Sequence, residues 1–123
     1  MTAMTVPISG YAQAAKALGT PRSIEHRVFS TITGRMSRAS QAPADFPALV
    51  AAVHDNLSLW TAITADVADS RNALPAQLRA QLVYLGAFTR AHTQKVLRGE
   101  AEAAPLIEIN TTVMRGLRGQ TAP

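Results

Sequence analysis

The stretch PLIEINTTVMRGLRG, from Pro105 to Gly119, carries a strong helical pattern near the end of this 123-residue chain. Its large apolar residues recur at steps of three and four, which is the spacing of one face of a helix. They are Leu106, Ile109, Val113 and Leu117. Terminal segments are usually polar and frayed. An apolar face here therefore predicts a helix that packs against the rest of the protein.

Three further amphipathic helices are predicted upstream of this stretch. The first opens with Thr20 as an N-cap and Pro21 at the first helical position, where a missing N–H costs nothing. Gly34 lies in its interior and is compatible with a close packing contact. The predicted apolar stripes are Ile24, Val28, Ile32 and Met36 with Phe29 beside them, then Leu49, Val53, Leu57, Trp60, Ile63 and Val67, then Leu78, Leu82, Leu85, Phe88, His92 and Val96.

Proline, aspartate and glycine mark the ends of these helices. Asp45 is the predicted N-cap of the second helix, and Pro75 opens the third. Gly99 is expected to take the left-handed conformation that ends many helices, and Pro105 to begin the fourth helix. No apolar alternation of a strand's length occurs. The sequence thus predicts an all-α fold, a small antiparallel bundle of four main helices.

The helices are expected to form one domain that spans residues 1–123. The segment from Tyr11 to Gly19 predicts a short additional helix in front of the bundle. Residues 1–9 and 119–123 are expected to be flexible. The predicted core requires neither a disulfide nor a metal, and the chain has no cysteine.

Composition points to a soluble, cytoplasmic protein. No apolar run approaches the roughly 20 residues that cross a bilayer, and the N-terminal residues do not read as a secretory signal. The net charge is +4, and its sign alternates along the sequence. Alternating signs are typical of neighbouring helices that complement one another, whereas a nucleic-acid surface concentrates its basic groups.

Residues that could carry chemistry are scattered. His26, His54 and His92 fall on three different predicted helices, so they do not have the spacing of metal ligands. Asp66 and Asp69 are one helical turn apart, but they precede a turn that such residues commonly cap. We therefore predict no enzymatic activity, no metal site and no cofactor.

Asn56 and Trp60 are one helical turn apart on a mainly apolar face. An unpaired buried amide costs about 1–3 kcal/mol, so Asn56 should either bond a neighbouring group in the core or lie at a binding surface. Both interpretations remain open at the level of sequence.

An ordered set of segments resembles the FlaF family of flagellar proteins. The matching pieces are YAQAAK, TPRSIEHRVFSTIT, the segment from Asn56 to Gly99, and PLIEINTTVMRGL. The resemblance implies a non-enzymatic cytoplasmic factor needed for flagellin synthesis and filament assembly, with flagellin as partner and a functional link to the translational regulator FlbT. It implies no defined active-site residues.

Amphipathic flagellin segments would dock on such a bundle through apolar anchors. The candidate contact residues are Asn56, Trp60, Leu74, Tyr84, Phe88, Ile107 and Asn110. In the last helix, Ile107, Asn110 and Met114 are expected at the flank of the core-facing stripe. Alternative functions are recruitment of an FlbT-type regulator and binding of flagellin mRNA. The basic groups available for RNA are Arg27, Arg35 and Arg38, and Arg90, Lys95 and Arg98.

Overall fold

The structure, a computed structural model, describes the backbone of residues 22–121 and the side chains of residues 26–115. It contains four α-helices in the described range and no strand: α1 (Arg22–Ser40), α2 (Phe46–Ala68), α3 (Ala76–Leu97) and α4 (Ala104–Thr121). The all-α prediction is confirmed. The predictions for residues 1–9, the Tyr11–Gly19 helix and the Thr20–Pro21 start lie outside the described residues, as do residues 122–123. For Ile24, Leu117 and residues 119–121 the structure describes the helical backbone but not the side chains.

The predicted helix starts are close to the observed ones. The Asp45 carboxylate accepts a hydrogen bond from the backbone N–H of Ala48 at 3.1 Å, so Asp45 is the N-cap of α2. Pro75 occupies the N-cap position of α3 without a side-chain hydrogen bond. The fourth helix begins at Ala104, one residue before the predicted Pro105.

Gly99 ends α3 in the predicted way. Its φ of 74° is left-handed, and this conformation turns the next backbone N–H groups back onto the helix. Gly99 N–H donates to Val96 O at 3.0 Å, and Glu100 N–H donates to Lys95 O at 2.8 Å. These bonds satisfy carbonyls that the helix end would otherwise leave open.

Short connections make successive helices antiparallel. Phe29 contacts Trp60 while Arg35 contacts Asp55, so residue numbers rise along α1 as they fall along α2. Helix α2 packs between α1 and α3, whereas α4 packs mainly against α1 and less extensively against α3. The described helices therefore form a four-helix bundle in which α1 and α3 are not principal neighbours.

Two hydrophobic clusters fill the interior. The first cluster contains Phe29, Trp60, Ile63, Val67, Leu74, Leu78, Leu82 and Val113. The second cluster contains Ile32, Met36, Ala39, Leu49, Ala52, Val53, Val96, Ala103 and Leu106. Each cluster contains side chains from all four helices, so apolar packing holds the helices together in two regions of the interior.

Some predicted core positions were wrong. Phe88 is 37% exposed and His92 is only partly buried, whereas Gly86, Thr89 and Thr93 are buried. The buried face of α3 is therefore rotated from the predicted apolar stripe toward small and polar residues, because this helix approaches α2 closely. Asn56 replaces Leu57 as the buried residue at that turn of α2.

The close approach of two helices occurs at Gly86 rather than at Gly34. A Cβ atom added at Gly86 would overlap the Thr64 hydroxyl on α2. At Gly34 the nearest group is the flexible guanidinium of Arg38, 3.1 Å from the added atom. Gly86 therefore sets the distance between α2 and α3, and the packing role suggested for Gly34 is wrong.

Candidate functional site

A layer of polar side chains crosses the middle of the bundle between the two hydrophobic clusters. Asn110 on α4 is its centre. Its amide Nδ2 donates to Asn56 Oδ1 at 2.7 Å and to Thr33 Oγ1 at 3.1 Å. Its carbonyl Oδ1 accepts from Trp60 Nε1 at 2.9 Å. One side chain of α4 thus binds both α1 and α2.

The polar layer also includes α3. Thr89 and Thr93 are buried, and the Thr93 hydroxyl donates to Thr89 O at 2.6 Å. Asn56 Nδ2 and Thr89 Oγ1 are buried without a protein partner. Buried hydrogen bonds are geometrically demanding, and mismatched ones are costly. The hydrogen bonds of Asn110 therefore favour one register of α1, α2 and α4.

The structure answers the question that Asn56 and Trp60 posed in the sequence. Both are fully buried, and Trp60 packs edge-on against Phe29 with ring centroids 6.0 Å apart. The Trp60 indole N–H and the Asn56 carbonyl both bind Asn110. The core interpretation is confirmed for this pair.

Burial changes the list of candidate contact residues. Asn56, Trp60, Leu74 and Asn110 have almost no exposed surface. Their assignment as contacts is wrong for this conformation, because a partner cannot reach them without opening the bundle. Asn110 was expected at the flank of α4; the hydrogen bonds to Asn56 and Trp60 turn it inward.

Leu74 is fixed by the turn between α2 and α3. Asn72 Oδ1 accepts from the Leu74 backbone N–H at 3.0 Å, while Asn72 Nδ2 donates to Asp66 Oδ2 at 3.0 Å. Asp69 accepts from the backbone and side chain of Arg71. The hydrogen bonds from the Arg71 side chain, then from its backbone N–H, lower the pKa of Asp69 from 3.8 to about 2. Asp66 and Asp69 thus cap the turn, as predicted.

Tyr84, Phe88 and Ile107 retain accessible surface. Tyr84 is 69% exposed, and Ile107 is partly buried against the second cluster. The Phe88 ring stacks on His92 with centroids 5.4 Å apart. His92 Nε2 lies 2.7 Å from Glu102 O, which ties α3 to the segment before α4. A partner role for these three residues stays a prediction.

An open groove between α2 and α3 was not predicted. Its volume is about 450 Å³. Its walls include Thr61, Thr64 and Ala65 on α2, and Val83, Ala87 and Arg90 on α3. The sequence does carry a signal for it, since small residues recur on α3 on the side away from the predicted stripe. That signal becomes interpretable only once the α2–α3 packing at Gly86 is known.

A second groove of about 370 Å³ lies between α1 and α2. It is lined partly by charged residues, including Arg35, Arg38 and Asp45, together with Ala51. Arg35 donates to Asp55 at 2.7 Å, so part of its charge is neutralised within the protein. This groove is more polar than the one between α2 and α3.

The described side chains include no cluster of three or more histidine and acidic groups that could hold a metal ion. Within the same range, no helix combines the length and apolar character required to cross a bilayer. The features that stand out are instead a hydrogen-bonded interior and an apolar groove.

The described part of the chain is thus a small all-α bundle of antiparallel helices with open grooves on either side of α2. The sequence model described as "Flagellar protein FlaF" matches residues 7–117. The chain belongs to this family of flagellar proteins, which confirms the resemblance seen in the sequence. FlaF is not a known enzyme family. No match was found among curated proteins or among solved structures.

Proposed function

We propose that this protein binds newly made flagellin in the cytoplasm as a non-enzymatic chaperone, and so promotes flagellin synthesis and secretion for filament assembly. Membership of a flagellar family supports the pathway. The observation that carries the proposal is the exposed apolar surface of α3, where Val83 is 36%, Phe88 37% and Tyr84 69% exposed. Exposed apolar side chains on a helix are the anchors through which an amphipathic partner helix can bind.

The physical basis is the shielding of unassembled subunits. Flagellin's terminal segments are amphipathic and have no partner before polymerisation, so they require temporary cover. A rigid helical bundle provides it by accepting an amphipathic helix through apolar anchors at i, i+3, i+4 and i+7. Release of flagellin from a repressing complex would then raise its translation.

Isothermal titration of the full chain with purified monomeric flagellin tests the proposal. We expect heat of binding and a stoichiometric complex in gel filtration. The absence of both heat and complex would overturn it. Pull-downs from a strain lacking flagellin separate chaperone binding from recruitment of an FlbT-type regulator: capture of the regulator in that strain would favour the adaptor function.

Binding of flagellin leader RNA is the second candidate, supported by Arg90, Lys95 and the absence of acidic residues between Pro75 and Gly99. It is less favoured because Arg35 and Arg98 are held by Asp55 and Glu100. RNA binding would weaken steeply with salt. Filter binding of leader RNA across a salt series tests this candidate. Because two of the basic groups are already paired, we expect no specific complex at any salt concentration.

A further inference from the structure

Helix α3 is apolar on two opposite sides. Leu82 and Val96 are buried in the bundle, while Val83 and Ala87 are exposed on the other side. Exposed apolar positions on a helix are suited to anchor a partner helix. The bundle covers only the inner side of α3, so the outer side has the character of an interface.

The bottom of the groove between α2 and α3 is a tight contact between the two helices. Gly86 and Thr64 meet closely enough that no side-chain atom fits between the helices at this point. Exposed Ala65 on α2 and Ala87 on α3 form low walls above that contact. Because the walls are low, a helix carrying larger side chains can approach and fill the space of about 450 Å³.

Arg90 is the charged residue that lines this groove. Its guanidinium makes a long 3.5 Å contact with Thr61 Oγ1. No ion pair between described side chains involves Arg90. The whole segment from Pro75 to Gly99 lacks acidic residues. A carboxylate on a partner would therefore complement the positive charge of Arg90 in the groove.

We propose that the groove between α2 and α3 is the docking site for one amphipathic helix of the partner, whose apolar side chains lie between Ala65, Val83 and Ala87 and whose carboxylate pairs with Arg90. The identity of that partner as flagellin rests on the function proposed above. The apolar walls favour a protein helix over RNA, since they offer no aromatic face for stacking a base.

Three variants of the full chain test the site. Ala87→Trp fills the groove, and Arg90→Glu reverses its charge; both positions are exposed. Ala51→Trp places the same bulky group in the groove between α1 and α2 and is the matched control. Circular dichroism melts verify folding. Should Ala87→Trp fail to fold, the Arg90→Glu exchange still decides the question.

Titration with purified monomeric flagellin should give a dissociation constant at least about tenfold weaker for Ala87→Trp and for Arg90→Glu than for the wild type. The Ala51→Trp variant should bind like the wild type. Wild-type affinity in both groove variants would overturn the docking site and leave flagellin binding intact. Equal weakening by the control would also overturn the site. Absence of binding by the wild type would overturn both proposals.

Two other occupants give different results. A second copy of the chain would appear as a wild-type dimer in analytical ultracentrifugation that Ala87→Trp dissociates. RNA would appear as filter binding of leader RNA that Arg90→Glu abolishes and Ala87→Trp leaves unchanged. Either result would overturn the docking of a partner helix.

Discussion

Asn56 and Asn110 are 54 positions apart in the sequence, and their side chains form a 2.7 Å hydrogen bond in the interior of the bundle. The amide group of Asn110 is fully used: both of its donor contacts and its accepted bond go to buried groups. Asn110 takes part in each of the hydrogen bonds that join Thr33, Asn56 and Trp60 to α4. Loss of this side chain should therefore cost more than loss of a surface hydrogen bond.

The first prediction concerns Asn110. Replacing Asn110 with Ala leaves the Trp60 indole N–H and the Asn56 carbonyl unpaired in the interior. The free energy of unfolding should fall by about 2–4 kcal/mol, measured by urea denaturation. Thr112→Ala is the control on the same helix, because the exposed Thr112 hydroxyl binds only the Glu108 carbonyl. Equal midpoints for the two variants would contradict the central role of Asn110.

A pair of glycine substitutions tests the α2–α3 contact. Gly86→Ala should destabilise the protein by about 1–2 kcal/mol, since the clash with Thr64 outweighs the gain in helix propensity. Gly34→Ala should be neutral or stabilising by up to about 1 kcal/mol, because the Arg38 side chain can move aside. Thermal melts would contradict this assignment if both variants shifted in the same direction by similar amounts.

The cap of α2 can be separated from a surface ion pair. Asp45→Ala removes the acceptor for the Ala48 N–H and should lower stability by about 1 kcal/mol. Asp55→Ala breaks the exposed pair with Arg35 and should cost less than about 0.5 kcal/mol. Chemical denaturation of both variants checks the order. A larger loss at Asp55 than at Asp45 would show that the cap is not the stronger contact.

The turn after α2 should respond to acid. Because the folded pKa of Asp69 is lowered to about 2, its ionised form stabilises the folded state above its ordinary pKa of 3.8. This contribution is lost as the pH falls from about 4 toward 2. In Arg71→Ala, the pKa of Asp69 measured by NMR titration should rise toward 3.8 without reaching it, since the backbone N–H of residue 71 still donates. An unchanged pKa would refute the role of the Arg71 side chain.

The helix boundaries could be predicted because their signals are local. Asp45 caps its own helix three residues on, and Gly99 needs only its own left-handed backbone to end α3. The family resemblance was also accessible, since it depends on the order of short segments. None of these features requires knowledge of how one helix faces another.

The polar layer and the groove depend on helix rotation, which periodicity resolves poorly. A small rotation of α4 about its axis is enough to move Asn110 from the flank into the core. The hydrogen bonds to Asn56 and Trp60 hold it in the core. Similarly, the threonines of α3 do not resemble core residues until Gly86 brings α2 close. These are tertiary effects that override the local pattern.

The polar layer around Asn110 lies between the first and the second hydrophobic cluster. Packing losses at Met36 in the second cluster and at Val67 in the first should therefore add almost independently, although Leu59 contacts both clusters. Over evolutionary time, such a partition would let either end of the molecule be remodelled while the other keeps its shape. Asn56 and Asn110 would then stay constant while the residues of the two hydrophobic clusters vary.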